Sequence, residues 1–165
     1  MPRPPRSRPA SRPPAALARV APLITRWVER LLGELSPRLT LAQYLSLESL
    51  DQGQTHAAAL AEGAGVSRSA VSQLVGSLRE LGLVEAAGPA EDRRRQPLAL
   101  SSDGRRALRA ARERLRRGLT PLLDRVPPHE VDGLARALET IEQSLRGAPP
   151  PPRAPRPRPP GGGRL

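Results

Sequence analysis

The chain has 165 residues, 27 of them basic and 16 acidic, which gives a formal net charge of +11. It contains no cysteine, which excludes disulfide scaffolds, thiolate metal sites and thiol nucleophiles. Its two histidines, His56 and His129, lie far apart and lack acidic partners at ligand spacing. The sequence thus predicts neither an enzyme nor a metal or cofactor site. Because it lacks a signal peptide and any apolar run of roughly 18 residues, it also predicts a cytoplasmic protein without a membrane partner.

Most of the net charge lies at the two ends of the chain. Residues 1–16 hold four arginines and six prolines, and residues 147–165 hold four arginines and eight prolines, without any acid. These segments therefore carry +8 of the +11. Proline lacks a backbone donor and neither segment has an apolar face, so both are predicted to be disordered tails. We interpret them as solubilising sequence, with sequence-independent binding to polyanions as the alternative.

The predicted domain, residues 17–146, begins with a helix over residues 17–35, whose apolar residues recur at helical spacing. Proline is tolerated in the first turn of a helix, so Pro22 indicates that the regular helix starts near Ala21. Two further helices follow, each with a threonine cap and a glycine end. The second runs from Thr40 to Gly53, and the third runs from Thr55 to Gly63 and Gly65.

A fourth helix and a hairpin follow. Ser67 caps the helix and Gly82 ends it. Two short strands come next, over residues 83–87 and 96–100, and the charged run 91–95 lies in the loop between them. The apolar face of the fourth helix comprises Val71, Leu74, Val75, Leu78 and Leu81. Its opposite, polar face comprises Ser69, Ser72, Gln73 and Gly76.

Two long helices complete the predicted domain. Ser101 or Ser102 caps the fifth helix, and the pair of prolines at 127–128 separates it from the sixth. The fifth helix carries seven arginines around its apolar face. The chain has only two aromatic residues, Trp27 and Tyr44, and both occupy helical apolar positions. We predict that they pack in the core, with stacking on a ligand as the alternative.

The third and fourth helices have the pattern of a helix-turn-helix. Ala61 is small where the two helices cross, Gly65 supplies the turn, and hydroxyl and amide side chains near the start of the fourth helix can reach base edges. An ordinary helical hairpin with a solvated polar face is the alternative. The strands that follow favour DNA binding, because a helix-turn-helix followed at once by a hairpin with a basic tip is a winged helix. In that arrangement the recognition helix enters the major groove and the tip reaches the minor groove.

Three motifs, in this order, resemble those of the MarR family of transcriptional regulators. They are LTLAQYLSLESL, LAEGAGVSRSAVSQLVGSLRELGLV and EDRRRQPLALSSDG. The resemblance is close over residues 39–104 and extends in outline over residues 17–145. It implies a mainly α fold with a small β-hairpin wing. A winged helix-turn-helix lobe, residues 39–101, would join a helical dimerisation region made of residues 17–35 and 102–146.

The resemblance also implies a function. The expected protein is a sequence-specific transcriptional regulator that binds double-stranded DNA as a homodimer. It would act as a repressor on a palindromic operator. The resemblance is also compatible with release of the protein from DNA by a small-molecule effector. Ala86 and Gly88 stand where many members have charged wing residues, which lowers the expected number of phosphate contacts. Lack of cysteine excludes the branch that senses peroxide through a thiol. Carried over residue by residue, the DNA contacts fall on Ser67, Arg68, Ser69, Ser72, Gln73, Asp92, Arg93 and Arg94.

Two other functions remain compatible with the sequence. One is an architectural protein that binds DNA through its tails without a specific operator, and the other is a winged-helix module for protein interaction. The charge of the recognition segment does not decide between them, because residues 66–87 are neutral. For most of the fifth-helix arginines we expect pairing with acids of the sixth helix within the dimer rather than DNA contact. The exceptions are Arg105 and Arg106, which lie beside the base of the wing.

Overall fold

The structure, a computed structural model, describes residues 12–55, 68–87 and 97–147. Helices α1 to α4 and the hairpin lie in one compact unit that ends at Arg125, and α5 lies in a second unit that begins at Val126. Over the described residues the elements are α1 (Arg12–Gly33), α2 (Leu41–Asp51), α3 (Arg68–Glu80), β1 (Val84–Ala86), β2 (Leu98–Leu100), α4 (Ser102–Leu123) and α5 (Pro128–Gly147).

This order confirms the predicted fold, which is mainly α with a small hairpin. The first, second, fourth, fifth and sixth predicted helices are α1 to α5, respectively. The predicted third helix, the loop of the hairpin and most of both predicted tails lie outside the described residues. In the part of the chain that the structure describes, no helix is both long and apolar enough to cross a membrane.

Helix α1 begins earlier than its sequence predicts. It starts at Arg12, and Pro22 lies inside it, so residues 12–16 are helical and the expected start near Ala21 is wrong. Two prolines, Pro13 and Pro14, already occupy the first turn, where a missing N–H costs no hydrogen bond. Pro22 removes one later donor, but the helix is exposed around it and water can reach the carbonyl left without its partner.

The second helix begins with a reciprocal cap. Thr40 Oγ1 accepts a hydrogen bond from the backbone N–H of Gln43 at 3.2 Å, and Gln43 Oε1 accepts one from the backbone N–H of Thr40 at 2.8 Å. This capping box satisfies two backbone donors at once. After α2, Gly53 has a φ of +86°, a conformation that glycine adopts without strain. The predicted limits of this helix, Thr40 and Gly53, are therefore confirmed.

The core of the first unit is built almost entirely from leucine. Four fully enclosed side chains, Leu32, Leu47, Leu78 and Leu108, come one each from α1 to α4. Tyr44 is half-buried against this core, as predicted. The same prediction is wrong for Trp27, which is 39% exposed and donates a hydrogen bond from Nε1 to the carbonyl of Gly118 in α4 at 3.1 Å.

One junction joins α3, the hairpin and α4. Gly82, with a φ of +67°, turns the chain after α3. Ser101 caps α4 by accepting a hydrogen bond from the N–H of Gly104 at 2.9 Å, and its hydroxyl donates to the carbonyl of Gly82 at 2.6 Å. A Cβ on Gly104 would lie 1.9 Å from the carbonyl oxygen of Leu83. The start of α4 therefore lies directly against Leu83, the residue before β1.

This contact predicts that Gly104→Ala lowers the free energy of unfolding by about 2 kcal/mol, because the new methyl group collides with backbone that cannot rotate away. Gly76→Ala is the matched control, since Gly76 is also helical but has nothing within 4 Å of the position that a Cβ would take. In open space the helical preference of alanine stabilises by about 0.5–1 kcal/mol. Urea denaturation of both variants measures the two effects, and equal effects would contradict the steric explanation.

Candidate nucleic-acid interface

The orientation of α3 follows from its apolar side chains. Val71 and Leu78 are buried, and Leu74 is half-buried against the core. Side chains on the opposite side of a helix must then face outward. Ser72 and Gln73 lie there and are exposed. The helix thus presents a serine hydroxyl and a glutamine amide to solvent, groups that can donate to and accept from the edges of bases.

Helix α3 is also tied to α2 by a polar contact. Gln43 Nε2 donates to Ser77 Oγ at 3.1 Å, and Ser77 Oγ donates to the carbonyl of Leu74 at 2.9 Å. Gln43 is only 9% exposed, so its amide is largely desolvated. One glutamine therefore completes the cap of α2 and holds α3 beside it. Because the bond is directional, it fixes how far α3 can slide along α2.

The hairpin follows α3 without a spacer helix. Its strands are antiparallel, with Val84 opposite Leu100 and Ala86 opposite Leu98. The N–H of Leu98 also donates to the carbonyl of Thr55 at 2.9 Å. This bond joins β2 to the segment that follows α2. The predicted strands over residues 83–87 and 96–100 are confirmed with slightly shorter limits. A hairpin fixed at this position next to α3 is the wing of a winged helix.

The structure describes the surroundings of only part of the predicted contact set. Ser72 and Gln73 are exposed on the polar face of α3. Arg68 and Ser69 lie in the first turn of α3, but their side chains are outside the description. The remaining residues fall outside the described ranges; they are Ser67, Asp92, Arg93 and Arg94. DNA contact by every member of the set stays a prediction.

Several arginines of α4 have partners within the first unit. Arg105, beside the wing, donates from Nη1 to the carbonyl of Leu100 at 2.7 Å, so it braces β2. Arg106 pairs with Asp103 one turn earlier. In the structure, Arg112 and Arg114 pair with acids other than those expected on the sixth helix. Their acids lie on or beside the first two helices, namely Glu48 and Asp51 for Arg112, and Glu34 for Arg114.

The described residues contain no group of three or more histidine, aspartate or glutamate side chains arranged to hold a metal ion. The contact that sequence reasoning missed is the link from Gln43 to α3. The sequence does indicate the contact of Gln43 with the start of α2, because Thr40 followed three residues later by Gln43 is a capping-box pattern. The bond to Ser77 joins residues 34 positions apart and leaves no local pattern.

Comparison with known proteins agrees with this geometry. The sequence model of the MarR family matches residues 39–95. Rv1404 of Mycobacterium tuberculosis is 24% identical, with 83% of this chain and 94% of that chain covered and a TM-score of 0.69. The MarR family protein Rv2887 of the same organism, solved with p-aminosalicylic acid, is 26% identical, with coverages of 80% and 99% and a TM-score of 0.66. CouR of Rhodococcus jostii, bound to p-coumaroyl-CoA, is 23% identical, with coverages of 81% and 91% and a TM-score of 0.64. No curated protein matches the chain.

The exposed polar helix, the adjoining antiparallel hairpin and the leucine core beneath them define a winged-helix protein. Residues 39–95 carry the sequence of the MarR family, and the solved structures match the fold over most of the chain. The chain is therefore a winged-helix protein whose residues 39–95 match the MarR family, a family of transcriptional regulators rather than enzymes.

We expect Gln43 and Ser77 to be energetically coupled, because removing either one leaves the other without its largely buried partner. Gln43→Ala should cost about 1–2 kcal/mol, since it also removes half of the capping box. A double-mutant cycle with Ser77→Ala, measured by urea denaturation, should give a coupling energy of about 0.5–1.5 kcal/mol. Additive effects would show that the bond does not hold α3 to α2.

Proposed function

We propose that this protein is a homodimeric repressor that binds a palindromic operator through α3 and the wing. The observation that carries the proposal is the position of the exposed Ser72 and Gln73 on the helix directly before the hairpin. A convex helix with a polar face fits the major groove, where each base pair presents a distinct pattern of donors and acceptors. The match of residues 39–95 to the MarR family supports the same reading.

Two kinds of contact are assigned to this surface. Residues of α3 and its cap read bases and set sequence preference, and the arginines of the wing add affinity by approaching the negative potential of the minor groove. Asp92 stands next to the wing arginines in sequence and orients one guanidinium before DNA is bound, which lowers the entropy cost of binding. The full proposed set is Ser67, Arg68, Ser69, Ser72, Gln73, Asp92, Arg93 and Arg94.

Dimerisation is proposed from the apolar residues that the first unit leaves exposed. Along α1 they form one stripe of large side chains, and two leucines at the end of α4 add to them. Monomeric proteins rarely expose large contiguous apolar patches, and a second copy of the chain would cover this one. The exposed residues are Leu17, Val20, Leu23, Ile24 and Trp27 of α1, and Leu122 and Leu123 of α4.

Helix α5 has an exposed apolar stripe of its own. Val131, Leu138 and Leu145 recur every seven residues along it and are 41%, 53% and 71% exposed, respectively. A seven-residue repeat of apolar side chains is typical of a helix that packs along another helix. We include α5 with α1 and α4 in the proposed dimer interface. Two-fold symmetry then calls for half-sites about one turn of DNA apart, roughly 34 Å.

Control by a small molecule is part of the proposal. Two similar regulators were solved with p-aminosalicylic acid and with p-coumaroyl-CoA, both of which contain an aromatic ring and an acidic group. We propose for this protein an effector that shares these two features, an aromatic ring and an anionic group. Such a ligand releases DNA only if it binds one spacing of the two DNA-binding lobes better than the other.

Variants of α3 and of the wing should weaken DNA binding in different ways. Gln73→Ala removes a base contact and should cost about 1–3 kcal/mol on the operator while changing the preferred sequence. Arg94→Ala removes a phosphate-directed charge and should weaken binding to all duplexes, with a salt slope lower by about 1. Site selection on random duplexes followed by titration at several salt concentrations measures both. A salt slope unchanged in Arg94→Ala would exclude that residue from the interface.

The same selection separates the proposed function from the alternatives. A repressor recovers a palindrome and binds it far more tightly than random DNA at the same salt concentration. An architectural protein binds both alike, and a protein-interaction module binds neither, even at low salt. Either of the last two results would overturn the proposal.

Leu23→Glu should convert the dimer to a monomer, because it places a charge in the exposed apolar stripe of α1, where Leu23 is 61% exposed. Its effect on the dimer should be about 2–4 kcal/mol, the cost of removing a central apolar contact. Leu81→Glu is the control, since Leu81 is also exposed, at 40%, but follows α3. Sedimentation velocity gives the mass of each, and a dimeric Leu23→Glu variant would contradict the proposed interface.

A further inference from the structure

Helices α2 and α4 are joined by a group of four polar side chains that the DNA contacts do not include. Arg112 of α4 donates from Nε to Glu48 Oε1 at 2.9 Å and from Nη2 to Glu48 Oε2 at 2.6 Å. The same Nη2 donates to Asp51 Oδ2 at 2.7 Å, and the hydroxyl of Tyr44 donates to Glu48 Oε1 at 2.6 Å. We call Tyr44, Glu48, Asp51 and Arg112 the α2–α4 ion cluster.

The geometry of this cluster is more restrictive than that of an ordinary surface ion pair. A guanidinium that holds one carboxylate with two parallel hydrogen bonds fixes both the distance and the orientation of its partner. Glu48 is the least exposed member of the ionic contacts, with a side chain 20% accessible to solvent. Burial raises the pKa of the Tyr44 hydroxyl, and its hydrogen bond to Glu48 raises it further. The phenol therefore remains a donor at neutral pH.

Arg112 also keeps its charge in this environment. Its hydrogen bonds to Glu48 and Asp51 raise the pKa of the guanidinium further above its ordinary value, against the opposing effect of burial. Three other ion pairs of α4, formed by Arg106, Arg116 and Arg117, connect residues three or four positions apart within the same helix. Such pairs stabilise a helix but cannot fix its position against another one. Arg112 acts between helices instead.

The position of α2 determines the position of α3, the proposed recognition helix. Gln43, the residue directly before Tyr44 on α2, holds α3 through Ser77. Leu47 and Leu50 on α2 are buried in the same core as Leu78 of α3. Because α2 and α3 are joined by both contacts, a rotation of α2 relative to α4 carries α3 with it.

We propose that Arg112 is a positioning residue that sets the separation of the two recognition helices in the dimer. The inference rests on the proposed function, in which α4 contributes to the dimer interface and α3 to the DNA interface. Arg112 connects these two parts at the point where α2 meets α4. It thereby determines which spacing of half-sites the dimer accepts, while the side chains of α3 determine the sequence of each half-site.

The test compares Arg112→Gln with Arg114→Gln on operators whose half-site spacing differs by one base pair, which changes their separation by about 3.4 Å. Arg114 is the matched control, because it lies on the same helix and also pairs between elements, but with Glu34, which follows α1. The wild type and Arg114→Gln should each bind roughly tenfold more weakly when one base pair is inserted. Arg112→Gln should lose less than about threefold and should select the same half-site sequence.

A second measurement needs no DNA. The chain has no cysteine, so Glu80→Cys, at the exposed end of α3, gives each protomer a single site for a spin label. The distance between the two labels of a dimer should be narrowly distributed in the wild type and in Arg114→Gln, and broad in Arg112→Gln. Arg112→Lys should also be broad, because a lysine keeps the charge but cannot form the paired hydrogen bonds.

The outcomes distinguish a failure of the proposed function from a failure of the role proposed for Arg112. A wild type that is monomeric, or that has no specific operator, overturns the proposed function and this inference with it. A dimer with a specific operator whose spacing dependence and label distances are unchanged in Arg112→Gln overturns the inference alone. So does a variant that alters the half-site sequence but not the spacing. If Arg112→Gln does not fold, Glu48→Gln removes the carboxylate partner instead. This variant should also weaken the dependence on half-site spacing and broaden the distribution of label distances.

Discussion

Ser101 makes the hydrogen bonds on which the arrangement of the recognition helix, the wing and α4 depends. Its hydroxyl donates to Gly82, its Oγ accepts from Gly104, and its backbone N–H donates to Leu83 at 3.1 Å. One residue thus closes the turn after α3, ends β2 and starts α4. The absence of a side chain at Gly104 is required for this, since any Cβ there would overlap the carbonyl of Leu83.

Local signals in the sequence predicted most of the fold. The cap residues Thr40 and Ser101 and the turn residue Gly82 act on backbone groups within a few positions, so their effects follow from residue type alone. The predicted start of α1 is wrong because two sets of prolines satisfy the same rule. Proline is accepted in a first turn, and the sequence offers both Pro13 and Pro22 for that place.

The candidate site was less predictable than the fold. Periodicity placed Ser72 and Gln73 on the outer face of α3, because an apolar stripe fixes which side is buried. It gave no account of the arginines of α4, which surround the helix. Which acid Arg112 or Arg114 meets depends on how α4 crosses α2 and α1, and that is set by packing between distant parts of the chain. Periodicity also assigns Trp27 to the core, because it cannot distinguish an apolar face that packs within the chain from one that stays exposed.

Trp27 and Tyr44, the two aromatic residues of the chain, lie in different parts of the molecule. Trp27, the one tryptophan, lies on the exposed apolar stripe of α1 with the guanidinium of Arg30 5.7 Å from the centre of its ring. Tyr44, the one tyrosine, is hydrogen-bonded to the carboxylate that Arg112 holds. The ultraviolet spectrum of the unmodified protein therefore contains one chromophore on the exposed apolar stripe of α1 and another at the contact between α2 and α4. Neither signal is mixed with that of a second residue of its kind.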